Sequence, residues 1–184
     1  MAYIDIGNDF PGIVGLLEYS PKTAKPLLQL AEILLQGPST LTKGEREMIA
    51  SYVSYQNKCH FCHTSHGASA AHHFGGDLSL IDDIKNDFEK TDISTKLRSL
   101  LDIAKKVQKS GREVTKDDIE NAKGAGATDR EIHDTVLIAA TFCMYNRYVD
   151  GLGTFAPKEI KDYDDMGRKM AMEGYMRERE GTSF

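Results

Sequence analysis

Apolar side chains recur along this chain at the three-to-four spacing of helices, and no stretch alternates as a strand would. Residues 1–9 are polar and read as extended. Pro11 opens a first helix that runs to Tyr19, and Pro21 stops it. Thr23 to Gln36 forms a second, with Leu27, Leu30, Ala31 and Leu34 on one face and Gly37-Pro38 at its end. Thr42 and Glu45 make a capping box for a third helix from Lys43 to about Gln56, whose buried face is Met48, Ile49, Tyr52 and Val53. Asn57-Lys58 breaks the pattern, and a helix beginning at Cys59 reaches Phe74 before Gly75-Gly76. Leu80 to Phe88 is a further helix whose charges (Asp82, Asp83, Lys85, Asp87) read as a solvated face. Ser94 to Lys109 carries Leu97, Leu100, Leu101, Ala104 and Val107 on one side. Thr115 with Asp118 caps a short helix to Ala125, followed by Gly126.

Thr128 with Glu131 caps the longest apolar run, Ile132 to Leu152. The stretch from Thr42 to His66-Gly67 and that from Thr128 to Leu152-Gly153 share a capping box, a similar length and a closing glycine. They read as a degenerate two-fold repeat of one helical unit. The expected fold class is all-α, with one helical domain over residues 1–157. Beyond Pro157 the composition turns charged, with Met166, Met170, Met172 and Met176 interspersed. Residues 158–184 are expected to be an arm on a neighbouring subunit or a solvated terminal helix.

A length of 184 residues suits one domain with a real core. The formal charge of −5 and the absence of Trp argue against a nucleic-acid partner. No signal-peptide pattern and no membrane-length apolar run is found, so no membrane association is expected and the cytoplasm is the expected compartment. Three cysteines do not make a disulfide framework. In a reducing compartment a Cys-x-x-Cys is catalytic or metal-binding rather than structural.

That pair is Cys59-His60-Phe61-Cys62, with His66 four residues after the second thiol and Glu47 twelve residues before the first. On a helix, Cys59, Cys62, His63 and His66 share a stripe roughly 100° wide. His66 is then the i+4 neighbour of Cys62, and His63 that of Cys59. A thiolate, not a thiol, is the nucleophile, and a neighbouring imidazole favours it. Cys62 is the attacking sulfur on this geometry. The alternative is Cys59, activated by the exposed amides and dipole of a helix N-terminus. Glu47 lies near the start of its helix, where a solvent-facing acid is the plain reading. Cys143 reads as a small buried hydrophobe. His72, His73 and His133 read as surface or supporting residues.

Glu47, Cys59-x-x-Cys62 and His66 resemble the motif of the alkyl hydroperoxidase D/carboxymuconolactone decarboxylase superfamily. Leu41-Thr-Lys-Gly-Glu-Arg-Glu-Met-Ile-Ala50, Asn146-Arg147 and Gly151-Leu-Gly153 agree with it. The resemblance covers roughly residues 10–157 and is greatest to the peroxidase-related branch. One position departs: alkyl hydroperoxidase D has a second histidine immediately before the second cysteine, where this chain has Phe61, with its histidine one place earlier at His60. The resemblance implies a thiol-dependent hydroperoxide reductase. Its catalytic residues would be Glu47, Cys59, Cys62 and His66, with Cys62 becoming a sulfenic acid and Cys59 resolving it to a disulfide. It implies a peroxide substrate, a thiol reductant such as lipoamide or a thioredoxin-like protein, and a symmetric homo-oligomer, trimeric or hexameric.

Other classes stand beside it. The same disulfide can serve a redox sensor or an assembly module without turnover. A zinc site is the metal alternative, but Cys59 to His66 spans about 10 Å of helix axis. Ligands on one straight helix cannot converge at roughly 2.0–2.3 Å on one ion, so zinc needs a kink or a ligand such as Glu47. A lactone-acid decarboxylase does not, as a family, rely on the cysteine pair. No organic cofactor is expected, because no Gly-rich phosphate loop follows a strand.

Overall fold

The computed structural model describes residues 2–178 and 181–183. They form α-helices only, apart from one 3₁₀ turn at Gly111–Glu113. In order these are α1 (Gly12–Tyr19), α2 (Pro21–Leu35), α3 (Lys43–Gln56), α4 (His60–His73), α5 (Leu78–Asp87), α6 (Thr95–Lys109), α7 (Lys116–Gly124), α8 (Asp129–Gly151) and α9 (Lys161–Glu173). The all-α class is as expected.

The helix starts follow local chemistry. The three capping boxes form: Thr42 with Glu45, Thr115 with Asp118, and Thr128 with Glu131, each side chain serving the other's backbone N–H. Ser94 caps α6 through the Leu97 N–H. Pro21 starts α2 rather than merely stopping α1, because its missing N–H is one that a first turn leaves unpaired anyway. Asp77 accepts from the Leu80 N–H, which moves the start of α5 to Leu78.

The core fills the space between α3, α6 and α8, where Met48, Ile49, Val53, Leu100, Leu101, Ile138 and Phe142 are buried together. Fully burying one such side chain contributes about 1.5–3 kcal/mol. The two stretches that looked repeated share their caps but not their paths. α8 runs unbroken for 23 residues, whereas the first stretch breaks at Lys58, whose φ is +62°.

One expectation changes with tertiary packing. Lys85 is not on a solvated face: it is 8% exposed, against 70% for Asp82 one turn away. In the described part of the segment after Pro157, α9 packs along α4 of the same chain. The two helices approach so closely at Gly167 that a Cβ there would sit 2.6 Å from the Cβ of Ala68. Tyr163, Gly167, Met170 and Ala171 form the buried face of α9, and His72 on α4 meets the Asp164 carboxylate at 3.0 Å. No described helix is long and apolar enough to cross a membrane.

Candidate active site

The break between α3 and α4 is built by side chains. Asn146 on α8 donates to the Ser54 hydroxyl at 3.0 Å and accepts from the Asn57 amide at 2.8 Å. Gln108 on α6 donates to the Asn57 side-chain carbonyl at 2.9 Å, and the Cys59 N–H reaches the Ser54 carbonyl at 3.0 Å. The Asn146–Ser54 bond is buried and shielded from water, and together these bonds fix where α4 begins.

Cys59 is the N-cap of α4 and Cys62 lies in its first turn, so Cys59 is beside the helix stripe rather than on it. Both sulfurs are buried, Cys59 completely and Cys62 to 5% exposure. The Cys59 thiol donates to the Cys62 sulfur at 3.0 Å, and the two are not bonded. That hydrogen bond, followed by burial and the nearby charge of Cys62, raises the Cys59 pKa far above its ordinary value. The Cys62 N–H opposes this more weakly. Phe61, Tyr163, Val149 and Ala68 enclose the pair. Burial and then the charge of Cys62 push the Tyr163 phenol up to about 12.

Glu47 does not face solvent. It is 0% exposed, and Oε2 receives the Nδ1–H of His66 at 2.8 Å. An ionised carboxylate only accepts, so this tautomer leaves the lone pair of His66 on Nε2. The other carboxylate oxygen accepts from the Tyr175 hydroxyl at 2.6 Å and from the Gln36 amide at 3.5 Å. Tyr175 also stacks on the His66 ring at 13° and a centroid distance of 5.9 Å, while Phe142 meets that ring edge-on at 4.6 Å. Burial, and then Glu47, raises the Tyr175 pKa well above the ordinary phenol value. A cavity of about 50 Å³ touches His66, and its other walls include Ile13, Leu17, Leu28 and Phe142.

The four residues singled out in the sequence therefore form two couples, Cys59 with Cys62 and Glu47 with His66. Among the described residues, no hydrogen bond joins His66 to either sulfur. His63 lies outside both couples: burial, then the charges of Lys85 and His60, hold its pKa down to about 4. Cys143 is half-buried, near the Asn57 amide and the Gln108 carbonyl. Among the described residues, no three His, Cys, Asp or Glu side chains converge as a metal-binding group.

Tyr175 and Gln36 were missed in the sequence. The available signal was the helical spacing of Tyr163, Gly167, Met170 and Ala171, which marks a buried face inside the charged segment. After α9 the chain turns at Gly174, and the Tyr175 N–H meets the Glu32 carboxylate at 2.6 Å. That contact directs the phenol toward Glu47.

Among solved structures, a peroxidase-related protein of Ralstonia eutropha JMP134, described as an alkylhydroperoxidase AhpD core, is 31% identical with a TM-score of 0.76. The match covers 86% of this chain and 81% of that one. The chain belongs to the alkylhydroperoxidase D-like superfamily. A peroxidase-related protein of Silicibacter sp. TM1040 covers the same shares at 27% identity and TM-score 0.76. A protein of Agrobacterium tumefaciens described as a putative antioxidant defence protein AhpD shares the fold, at 22% identity and TM-score 0.66, over 80% of this chain and 99% of that one. No protein-family model and no curated protein matches the chain.

Proposed function

We propose that this alkylhydroperoxidase D-like protein is a thiol-dependent hydroperoxide reductase. The observation that carries the reading is the buried 3.0 Å S–H···S contact, in which Cys59 is held protonated and Cys62 accepts. A sulfur that receives a hydrogen bond is favoured as thiolate. His66, oriented by Glu47 and Tyr175 with Nε2 free to accept, is the base that takes the proton of Cys62, directly or across one water.

The Cys62 thiolate attacks the O–O bond of the hydroperoxide. An S–O bond forms, the O–O bond breaks, and the leaving alkoxide takes a proton to depart as alcohol. Cys59 then attacks the Cys62 sulfenic acid, and water leaves as the disulfide forms. The sulfurs must close by about 1 Å to reach bonding distance. An external dithiol, lipoamide-like or thioredoxin-like, returns both cysteines to thiols by exchange and is itself oxidised. The working form in this reading is a symmetric homo-oligomer, a trimer or hexamer, acting in the cytoplasm. A monomeric mass in light scattering would remove the oligomer from it.

The test is turnover by the purified, reduced protein with hydrogen peroxide or cumene hydroperoxide, and with dithiothreitol, dihydrolipoamide or reduced thioredoxin as donor. Replacing Glu47 by Gln or His66 by Ala should slow the first step by roughly 10²–10⁴-fold, with His63→Ala near wild type. The absence of peroxide consumption with every donor would refute the enzymatic reading and favour a sensor or assembly role for the same thiols.

A further inference from the structure

A second cavity, of about 200 Å³, lies between α4, α5 and the start of α9, beside the cysteine cluster. That is room for roughly seven water molecules. Ala68 and Tyr163 belong both to its wall and to the layer that encloses the sulfurs. Leu78 and Ile160 add apolar surface, and the half-buried His63 and the buried Lys85 supply polar groups.

Lys85 is unusual in this setting. Its side chain is 8% exposed, and its ion pair, with Asp82, is 3.7 Å long. That is beyond a good hydrogen bond and is made to a carboxylate that is mostly in solvent. Buried charges are ordinarily paired, because an isolated ammonium away from water is costly. The ammonium fits here because α4 carries Gly67 at the point of approach: a Cβ there would lie 2.8 Å from Nζ. Burial lowers the Lys85 pKa, and Asp82 only partly opposes this.

We infer that this cavity is a binding site for a small monocarboxylate with an apolar body, with Lys85 as the countercharge. The carboxylate takes the donors that Nζ leaves open, and the neutral His63 ring can donate one more. The alkyl or aryl body lies on Leu78, Ile160 and Tyr163. Asp82 and Asp164 stand on the exposed side, at 70% and 68% exposure. They repel a ligand of higher negative charge, so a dianion such as phosphate is disfavoured. This site does not depend on peroxide chemistry at the cysteines.

The experiment titrates the full-length protein with hexanoate, hexanamide and inorganic phosphate, reading ligand-observed NMR and the ring resonances of the histidines. Hexanoate should bind and shift His63 but not His133. Hexanamide, the same shape without the charge, should bind at least tenfold more weakly, and phosphate should not displace hexanoate. Lys85→Met should weaken hexanoate to the level of hexanamide. If that variant does not fold, the hexanoate–hexanamide comparison in wild type decides alone. Equal binding of acid and amide, displacement by phosphate, or no hexanoate binding at roughly 20 mM would each overturn the assignment.

Discussion

Replacing Tyr175 by Phe removes one oxygen from the middle of the candidate site and leaves the ring that stacks on His66. That oxygen donates to Glu47 Oε1 at 2.6 Å, and the neighbouring donor to the same oxygen, the Gln36 amide, is 3.5 Å away. Glu47 is completely buried, so water does not replace the lost donor without cost. Hydrogen bonds to charged groups contribute about 1.5–3 kcal/mol. For a chain of this size each kcal/mol moves the midpoint of unfolding by about 2–4 °C, so the expected drop is roughly 3–12 °C. The matched control is Tyr145→Phe, which removes a hydroxyl donating to the neutral Leu27 carbonyl at 2.7 Å and should cost only about 0.5–1.5 kcal/mol. Thermal unfolding followed by circular dichroism compares the two. A Tyr175→Phe midpoint equal to wild type, or a smaller loss than Tyr145→Phe, would show that the phenol does not hold the Glu47 carboxylate.

Asn146→Ala should destabilise by about 1–3 kcal/mol, because it removes the acceptor of the Asn57 amide and the donor to the buried Ser54 hydroxyl, which keeps its bond to the Ala50 carbonyl; urea unfolding checks this, and no change would mean that the α3–α4 break is held by other contacts. Acid should also weaken the fold through His63, which stays neutral down to about pH 4 when folded but binds a proton near its ordinary 6.5 when unfolded. Its contribution is present above pH 6.5 and is lost as pH falls from there toward 4. A His63→Gln variant should show a flatter stability profile across that window, and an unchanged slope would contradict the assignment.

The parts of the fold that could be read in the sequence are those fixed by neighbours a few residues apart. Thr-x-x-Glu and Thr-x-x-Asp set three helix starts because the cap is closed within one turn. Glu47, Cys59, Cys62 and His66 could be named because the motif lies within two adjacent helices. Tyr175 could not, since its contact with Glu47 joins positions 128 residues apart and depends on how α9 settles on α4. Lys85 was hidden for the opposite reason. It sits among acids on a short helix, and its burial comes from the space left by Gly67 on another one. The i+4 spacing of His66 to Cys62 also gave no sign that Glu47, from the preceding helix, takes its Nδ1.

The chemical assignment of the two sulfurs is tested most directly by trapping the first intermediate. Cys59→Ser and Cys62→Ser are reduced, freed of thiol, and given one equivalent of hydroperoxide in the presence of a dimedone-type probe, and labelled peptides are identified by mass spectrometry. Cys59→Ser should consume the peroxide and carry the label on Cys62, while Cys62→Ser should remain unlabelled and leave the peroxide intact. Label on Cys59 in the Cys62→Ser variant, with the Cys59→Ser variant inert, would contradict the assignment.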